Sequence, residues 1–159
     1  MIHRIHVHIG SQTLDLITPD FSKNYPVSTA TNGAGQADGS FCTPLGHHIV
    51  KTKVGYRAPR NTVFSGRKPQ AALYDPNIPN ASEKDWILTR ILWLSGCEPG
   101  INRLGNVDTK NRYIYIHGTP DSEGIGVPNS HGCIRMRNDD VIELFEHTPL
   151  YTQVLITED

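Results

Sequence analysis

Hydrophobic and polar residues alternate over short stretches for most of the chain. Ile5, Val7 and Ile9 alternate with His6 and His8, the period of a half-buried strand. Gly10-Ser11 reads as a hairpin turn into a second strand over 12–18, with Leu14 and Leu16 on one face. A further short strand is expected over 25–30. The stretch 31–46, with Gly33, Gly35, Gly39 and Gly46, reads as a long loop, and a strand resumes over 47–53. The apolar run 86–94 suits a buried helix or a buried strand; Ile87, Ile91, Trp86 and Trp93 favour the strand. Over 112–117, Tyr113 and Tyr115 alternate with Ile114 and Ile116. Asn138 reads as a helix N-cap, followed by Asp139 and Asp140 where the helix dipole favours acids. Val141, Ile142, Leu144 and Phe145 give that helix an apolar face, Pro149 ends it, and 151–157 forms a last strand. The pattern predicts a mostly β domain with one helix.

Composition narrows the function classes. The 159 residues fit one domain, 1–159, large enough to bury a core without disulfides or metals. A formal net charge of −1 leaves no basic surplus for a phosphate backbone, so nucleic acid is not an expected partner. No apolar run reaches membrane-spanning length, so no membrane partner is expected either. The N-terminal residues show no basic stretch followed by an apolar run. The three cysteines, Cys42, Cys97 and Cys133, cannot all pair internally. Both features predict a cytoplasmic protein with reduced thiols; a periplasmic one is the alternative if the sequence is trimmed. Cys42 and Cys97 read as small buried hydrophobes.

Chemistry concentrates in Ile116-His117-Gly118-Thr119 and Pro128-Asn129-Ser130-His131-Gly132-Cys133-Ile134-Arg135-Met136. His117 ends a strand, and Cys133 follows sixteen positions later across a loop long enough to bring the thiol back beside the imidazole. That pairing suits a thiol nucleophile with an imidazole base. A free thiol has a pKa of about 8.5, and a neighbouring imidazolium is expected to lower it and then protonate the leaving amine. Gly132 permits close backbone approach, and N–H groups near Gly132 and Cys133 are candidate oxyanion donors. His117, His131 and Cys133 are also possible zinc ligands, but a fourth is not evident nearby.

The segment Ser130-His131-Gly132-Cys133-Ile134-Arg135-Met136, with His117-Gly118-Thr119 upstream, resembles the signature of the L,D-transpeptidase catalytic domain, or YkuD, family. Tyr25-Pro26-Val27-Ser28-Thr29 resembles its early strand and Thr43-Pro44-Leu45-Gly46 its Thr-Pro-x-Gly element. The resemblance implies a β-sandwich built around a mixed sheet, with one or two short helices. It implies Cys133 as nucleophile toward the carbonyl between the third stem residue of peptidoglycan, usually meso-diaminopimelate, and D-Ala, leaving a thioester. It further implies His117 as base and acid, His131 in support, and Ser130 and Gly132 shaping the turn and oxyanion site, beside Gly118 and Thr119. Arg135 would hold a stem carboxylate or serve as a salt-bridge partner. No cofactor or metal is implied. The chain departs from the family in reading Ser28-Thr29-Ala30 where the early strand usually ends in Gly, and in the length of its glycine-rich loop.

With a cytoplasmic setting, the expected acyl acceptor is water and the expected enzyme an L,D-carboxypeptidase trimming tetrapeptide stems or muropeptides during wall recycling. The alternatives are a transpeptidase or D-amino-acid exchanger in the periplasm and, from another class, a non-catalytic wall-peptide module or a zinc-site protein. Carbapenems are expected to acylate Cys133. His3, His6 and His8 are expected to face solvent, and at most one of His47 and His48 to line the cleft. Tyr56, Arg57, Arg67 and Arg90 are unranked candidates for substrate carboxylates.

Overall fold

Strands β1 (Arg4–His8) and β2 (Thr13–Ile17) form the expected hairpin, in a computed structural model that describes residues 3–159. Ile5 and Val7 point into the core with Leu14 and Leu16, as their spacing requires. β3 (Ser22–Pro26) pairs with β2 and starts earlier than the 25–30 expected. Residues 27–30 instead leave β2 and bridge to the segment 130–135, Ser28 opposite Arg135 and Ala30 opposite Ser130. The chain then runs through the glycine-rich loop into β4 (Gly46–Val54).

A hairpin follows that the hydrophobic pattern does not reveal: β5 (Thr62–Ser65) and β6 (Lys68–Leu73). β6 is exposed throughout, so it carries no alternation to read; the Ser65-Gly66 pair after β-branched residues is the one turn signal. β7 (Leu88–Gly96) resolves the helix-or-strand ambiguity in favour of strand. It pairs with β4, β5 and β8 (Tyr115–Gly118) and is nearly buried on both faces, which explains its apolar run. β8 begins three residues later than expected because the Asp108 carboxylate accepts from the Leu104 and Asn111 N–H groups and folds 108–113 into turns. β9 (Ile134–Met136) lies parallel to β8, and β10 (Gln153–Thr157) parallel to β1.

The ten strands form one mixed sheet, curled around the main core. One α-helix, α1 (Asn138–Glu146), and two single 3-10 turns, Ala81–Glu83 and Gly105–Val107, complete the described residues. α1 packs on β7 and β8 through Val141, Leu144 and Phe145. Asn138 is not its N-cap: Arg137 holds that place, and the buried Asn138 amide accepts from Thr89 Oγ1 at 2.6 Å and donates to Asn61 and Asp121. Asn138 therefore ties the helix start to β7. No helix is long and apolar enough to cross a membrane among the described residues.

Candidate active site

The period of two sorts β8 and β9 into a core face and a chemical face. Ile116, Ile134 and Met136 enter the main core. Tyr115 and Cys133 belong to a separate small cluster with Phe64 and Ile91. His117 pairs with Arg135 in the parallel register, one step along from Tyr115 and Cys133. The Cys133 thiol and the His117 imidazole thus share one face of two adjoining strands.

The turn carrying Cys133 is held from three sides. Ser28 exchanges both backbone hydrogen bonds with Arg135 at 2.9 Å. Thr29 O accepts from the Asn129 and Ser130 N–H groups. Thr43 Oγ1 donates to Gly132 O at 2.9 Å and accepts from Ala30 N. The early strand and the Thr-Pro-Leu-Gly element therefore act together as a clamp on the turn that carries Cys133. Inside the turn, Ser130 Oγ donates to Cys133 O at 2.5 Å and accepts from Gly132 N at 3.1 Å. Gly132 takes φ 131°, and a Cβ there would press on Cys42 O and Ile114 at 3.2 Å. With its N–H committed to Ser130, Gly132 shapes the turn. Among the described residues the Cys133 N–H has no protein acceptor.

Cys133 Sγ sits on a cavity of about 250 Å³, lined also by Asp85, His131, Arg67, Tyr113 and Tyr115. It accepts from Tyr115 N at 3.3 Å and donates to Tyr113 O at 3.4 Å. Burial pushes its thiol up to about 12, partly opposed by the Tyr115 N–H. His117 is buried, and burial holds its imidazole below the ordinary range against the pull of its bond to Gly118 O. That bond, 2.6 Å from Nδ1, places the ring proton on Nδ1 and leaves the Nε2 lone pair free to act as base. No hydrogen bond joins Sγ to the ring among the described residues. Desolvation disfavours the charged forms of both groups, the opposite direction from the mutual stabilisation expected of a thiolate–imidazolium pair.

The remaining predicted residues divide. His131 is exposed, with Nδ1 3.3 Å from Asp85 Oδ2, and its ring meets Phe41 edge-on. Arg135 Nη2 donates to Asp85 Oδ1 at 2.6 Å, so the guanidinium is engaged as a salt-bridge partner. Gly118 serves packing: a Cβ there would lie 2.4 Å from Asn138 Oδ1 and 2.7 Å from Leu88 O. Thr119 is buried and lines a neighbouring cleft with Arg60, Asp121 and Asp139, outside the Cys133 cavity. His117, His131 and Cys133 do not converge as metal ligands among the described residues. Cys42 is half-buried and Cys97 exposed, so neither is the buried hydrophobe expected.

Of the unranked candidates only Arg67 reaches the cavity, its guanidinium 4.8 Å over Trp93 and hydrogen-bonded to the Tyr115 hydroxyl at 3.0 Å. Tyr56 lies in another cleft with Arg57 over its ring, and Arg90 is buried against Ala58 O and Thr89 O. His48 is buried elsewhere, between Gly46 O and Thr109 Oγ1, and His47 is exposed. Asp85, which joins Arg135 to His131, escaped the sequence reading because a lone acid before an apolar run carries no signal.

Residues 2–156 match the family model of the YkuD L,D-transpeptidase catalytic domain. Among curated relatives, YqjB of Bacillus subtilis, which carries an L,D-transpeptidase name, is 51% identical over 51 residues, 32% of this chain and 29% of that protein. ErfK/SrfK of Salmonella typhimurium, also so named, is 51% identical over 47 residues, 30% of this chain and 15% of that protein. The structure of an L,D-transpeptidase from Mycobacterium smegmatis superposes with a TM-score of 0.57 at 18% identity, covering 98% of this chain and 58% of that one. L,D-transpeptidase 3 of Mycobacterium tuberculosis, solved with a faropenem-derived adduct, gives 0.61 at 15% identity, covering 98% of this chain and 60% of that one. The structural likenesses speak to the fold, and this chain spans about three fifths of those two structures. With the family model matched from residue 2 to residue 156 on the fold described above, the chain belongs to the L,D-transpeptidase catalytic domain (YkuD) family.

Proposed function

We propose that Cys133 is the acyl-accepting nucleophile of an enzyme acting on the tetrapeptide stem of peptidoglycan. The observation that carries this reading is the Sγ on the cavity wall, with a buried imidazole of fixed tautomer on the same strand face. In the first half-reaction His117 Nε2 takes the Sγ proton as sulfur attacks the carbonyl between meso-diaminopimelate and D-Ala. An S–C bond forms, and the oxyanion faces the Cys133 N–H. The C–N bond to D-Ala then breaks, Nε2–H delivers the proton to the leaving amine, and a thioester remains. The proton transfer is coupled to the attack, because burial disfavours a separate thiolate and imidazolium. Arg67, half-buried at the cavity, is the cation available to the donor's carboxylate, since Arg135 is occupied by Asp85.

The second half-reaction needs an acceptor. The amine of another stem would make the protein a transpeptidase, as the relatives' names suggest. Water would make it an L,D-carboxypeptidase, the reading that goes with a cytoplasmic setting and recycled muropeptides. The test is incubation with a disaccharide-tetrapeptide followed by mass spectrometry of the products. Loss of one D-Ala to give the tripeptide supports hydrolysis, and a crosslinked dimer supports transpeptidation. An unchanged tetrapeptide would refute the substrate assignment. A further solved structure of this fold is an LD transpeptidase, LdtMt1, in complex with imipenem, and the same thiol chemistry predicts that imipenem acylates Cys133 here.

A further inference from the structure

The solvent-side face of β1 carries a second cluster of chemistry-bearing side chains. His6 and His8 are two positions apart on one strand and share that face, opposite the core-facing Ile5 and Val7. Strand register brings Asp15 beside His6 from β2 and Thr157 beside His8 from β10, and Asp159 follows two residues after Thr157. One ligand atom each from His6, His8 and Asp159 lies within 4.8 Å of the others.

The hydrogen bonds around the two rings give the cluster a direction. His8 Nε2 lies 2.9 Å from Asp15 Oδ2, and a carboxylate only accepts, so Nε2 carries the proton. In the neutral ring Nδ1 is then a bare lone pair, yet it faces Asp159 Oδ1 at 3.4 Å. In that tautomer two acceptors face each other, and a bound cation would satisfy both. His6 Nε2 lies 2.9 Å from Thr157 Oγ1, whose hydroxyl donates to the Asp159 carboxylate, so His6 Nε2 also carries the proton. Its Nδ1 has no hydrogen-bond partner among the described residues. The rings stack with centroids 3.8 Å apart, a spacing at which two imidazolium cations would repel.

We propose that His6, His8 and Asp159 form a binding site for a divalent transition-metal ion of the zinc class. Zinc–nitrogen and zinc–oxygen bonds of about 2.0–2.1 Å put neighbouring tetrahedral donors roughly 3.3 Å apart. The 3.4 Å between His8 Nδ1 and Asp159 Oδ1 already matches that edge. Asp15 and Thr157 supply the outer hydrogen bonds that fix ring tautomer and orientation in such sites. Three protein ligands leave one position to water. The ion would tie β1 to the end of β10 and stabilise the fold by linkage, apart from the Cys133 cavity, whose lining residues contribute none of these ligands.

The rival is an imidazolium at His8 bridging two carboxylates. The test titrates the chelator-stripped protein with Co²⁺, followed by d–d absorption, and then displaces cobalt with Zn²⁺. One equivalent bound, no thiolate charge-transfer band, and a raised melting temperature with Zn²⁺ are expected. His8→Ala should abolish binding. Thr157→Val, which keeps the side-chain shape, should weaken it by about tenfold or more. Far-ultraviolet circular dichroism checks that both variants fold. Absence of saturable cobalt binding would overturn the proposal and leave the imidazolium bridge. So would a spectrum dominated by thiolate ligation, or undiminished affinity in folded His8→Ala.

Discussion

The two faces of strands β8 and β9 are built from alternate residues of the same few positions, and they do opposite work. One face sends Ile116, Ile134 and Met136 into the main core, fully buried and apolar. The other presents Tyr115, His117, Cys133 and Arg135, where burial is spent on polar groups held by backbone carbonyls, backbone N–H groups and Asp85. The contrast teaches that desolvation acts differently on the two faces: it stabilises the apolar residues of one and disfavours the charged forms of the thiol and imidazole on the other.

The sharpest break between the faces is Cys133→Ala. D-Ala release should fall by at least roughly 1,000-fold, while the urea midpoint stays near that of the native protein. His117→Gln should lower turnover by about 100- to 10,000-fold, as expected for loss of a positioned base, seen in the same release assay. Met136→Ala reverses the pattern. It should cost about 2–5 kcal/mol in urea unfolding, with the turnover of the remaining folded enzyme changed far less. Equal losses of activity in Met136→Ala and His117→Gln would erase the distinction.

Two smaller effects refine it. Burial holds the His48 imidazole down at about 4 against an ordinary 6.5. The unfolded chain takes up this proton before the folded one, so stability holds above pH 6.5 and falls as pH drops toward 4. The loss should be roughly 3 kcal/mol from this group, read as a shift in urea midpoint, and His117 adds in the same direction. The acid limb should flatten in His48→Asn. Last, Asp85→Asn should lower kcat/KM by about tenfold through loosened Arg135 and His131, a cost of about 1.4 kcal/mol.

Strict alternation made β1, β2 and the core face of β8 legible before any coordinates, because a period of two permits one burial pattern. The signature around Cys133 and His117 was legible for a chemical reason, as thiol and imidazole must share a face. What stayed hidden depends on contacts remote in sequence. The exposed β5–β6 hairpin shows no alternation, and Asn138 gives up capping for bonds to Thr89, Asn61 and Asp121. Asp85 reaches Arg135 across fifty positions. The lowered His117 and raised Cys133 pKa values arise from burial, which spacing alone does not reveal.

The most direct measurement of the central claim is intact-protein and peptide mass spectrometry after brief exposure to imipenem and, separately, to the tetrapeptide substrate. A single adduct mapped to Cys133, absent in Cys133→Ala, is the predicted result. An adduct on Cys42 or Cys97, or D-Ala release that survives Cys133→Ala, would contradict it.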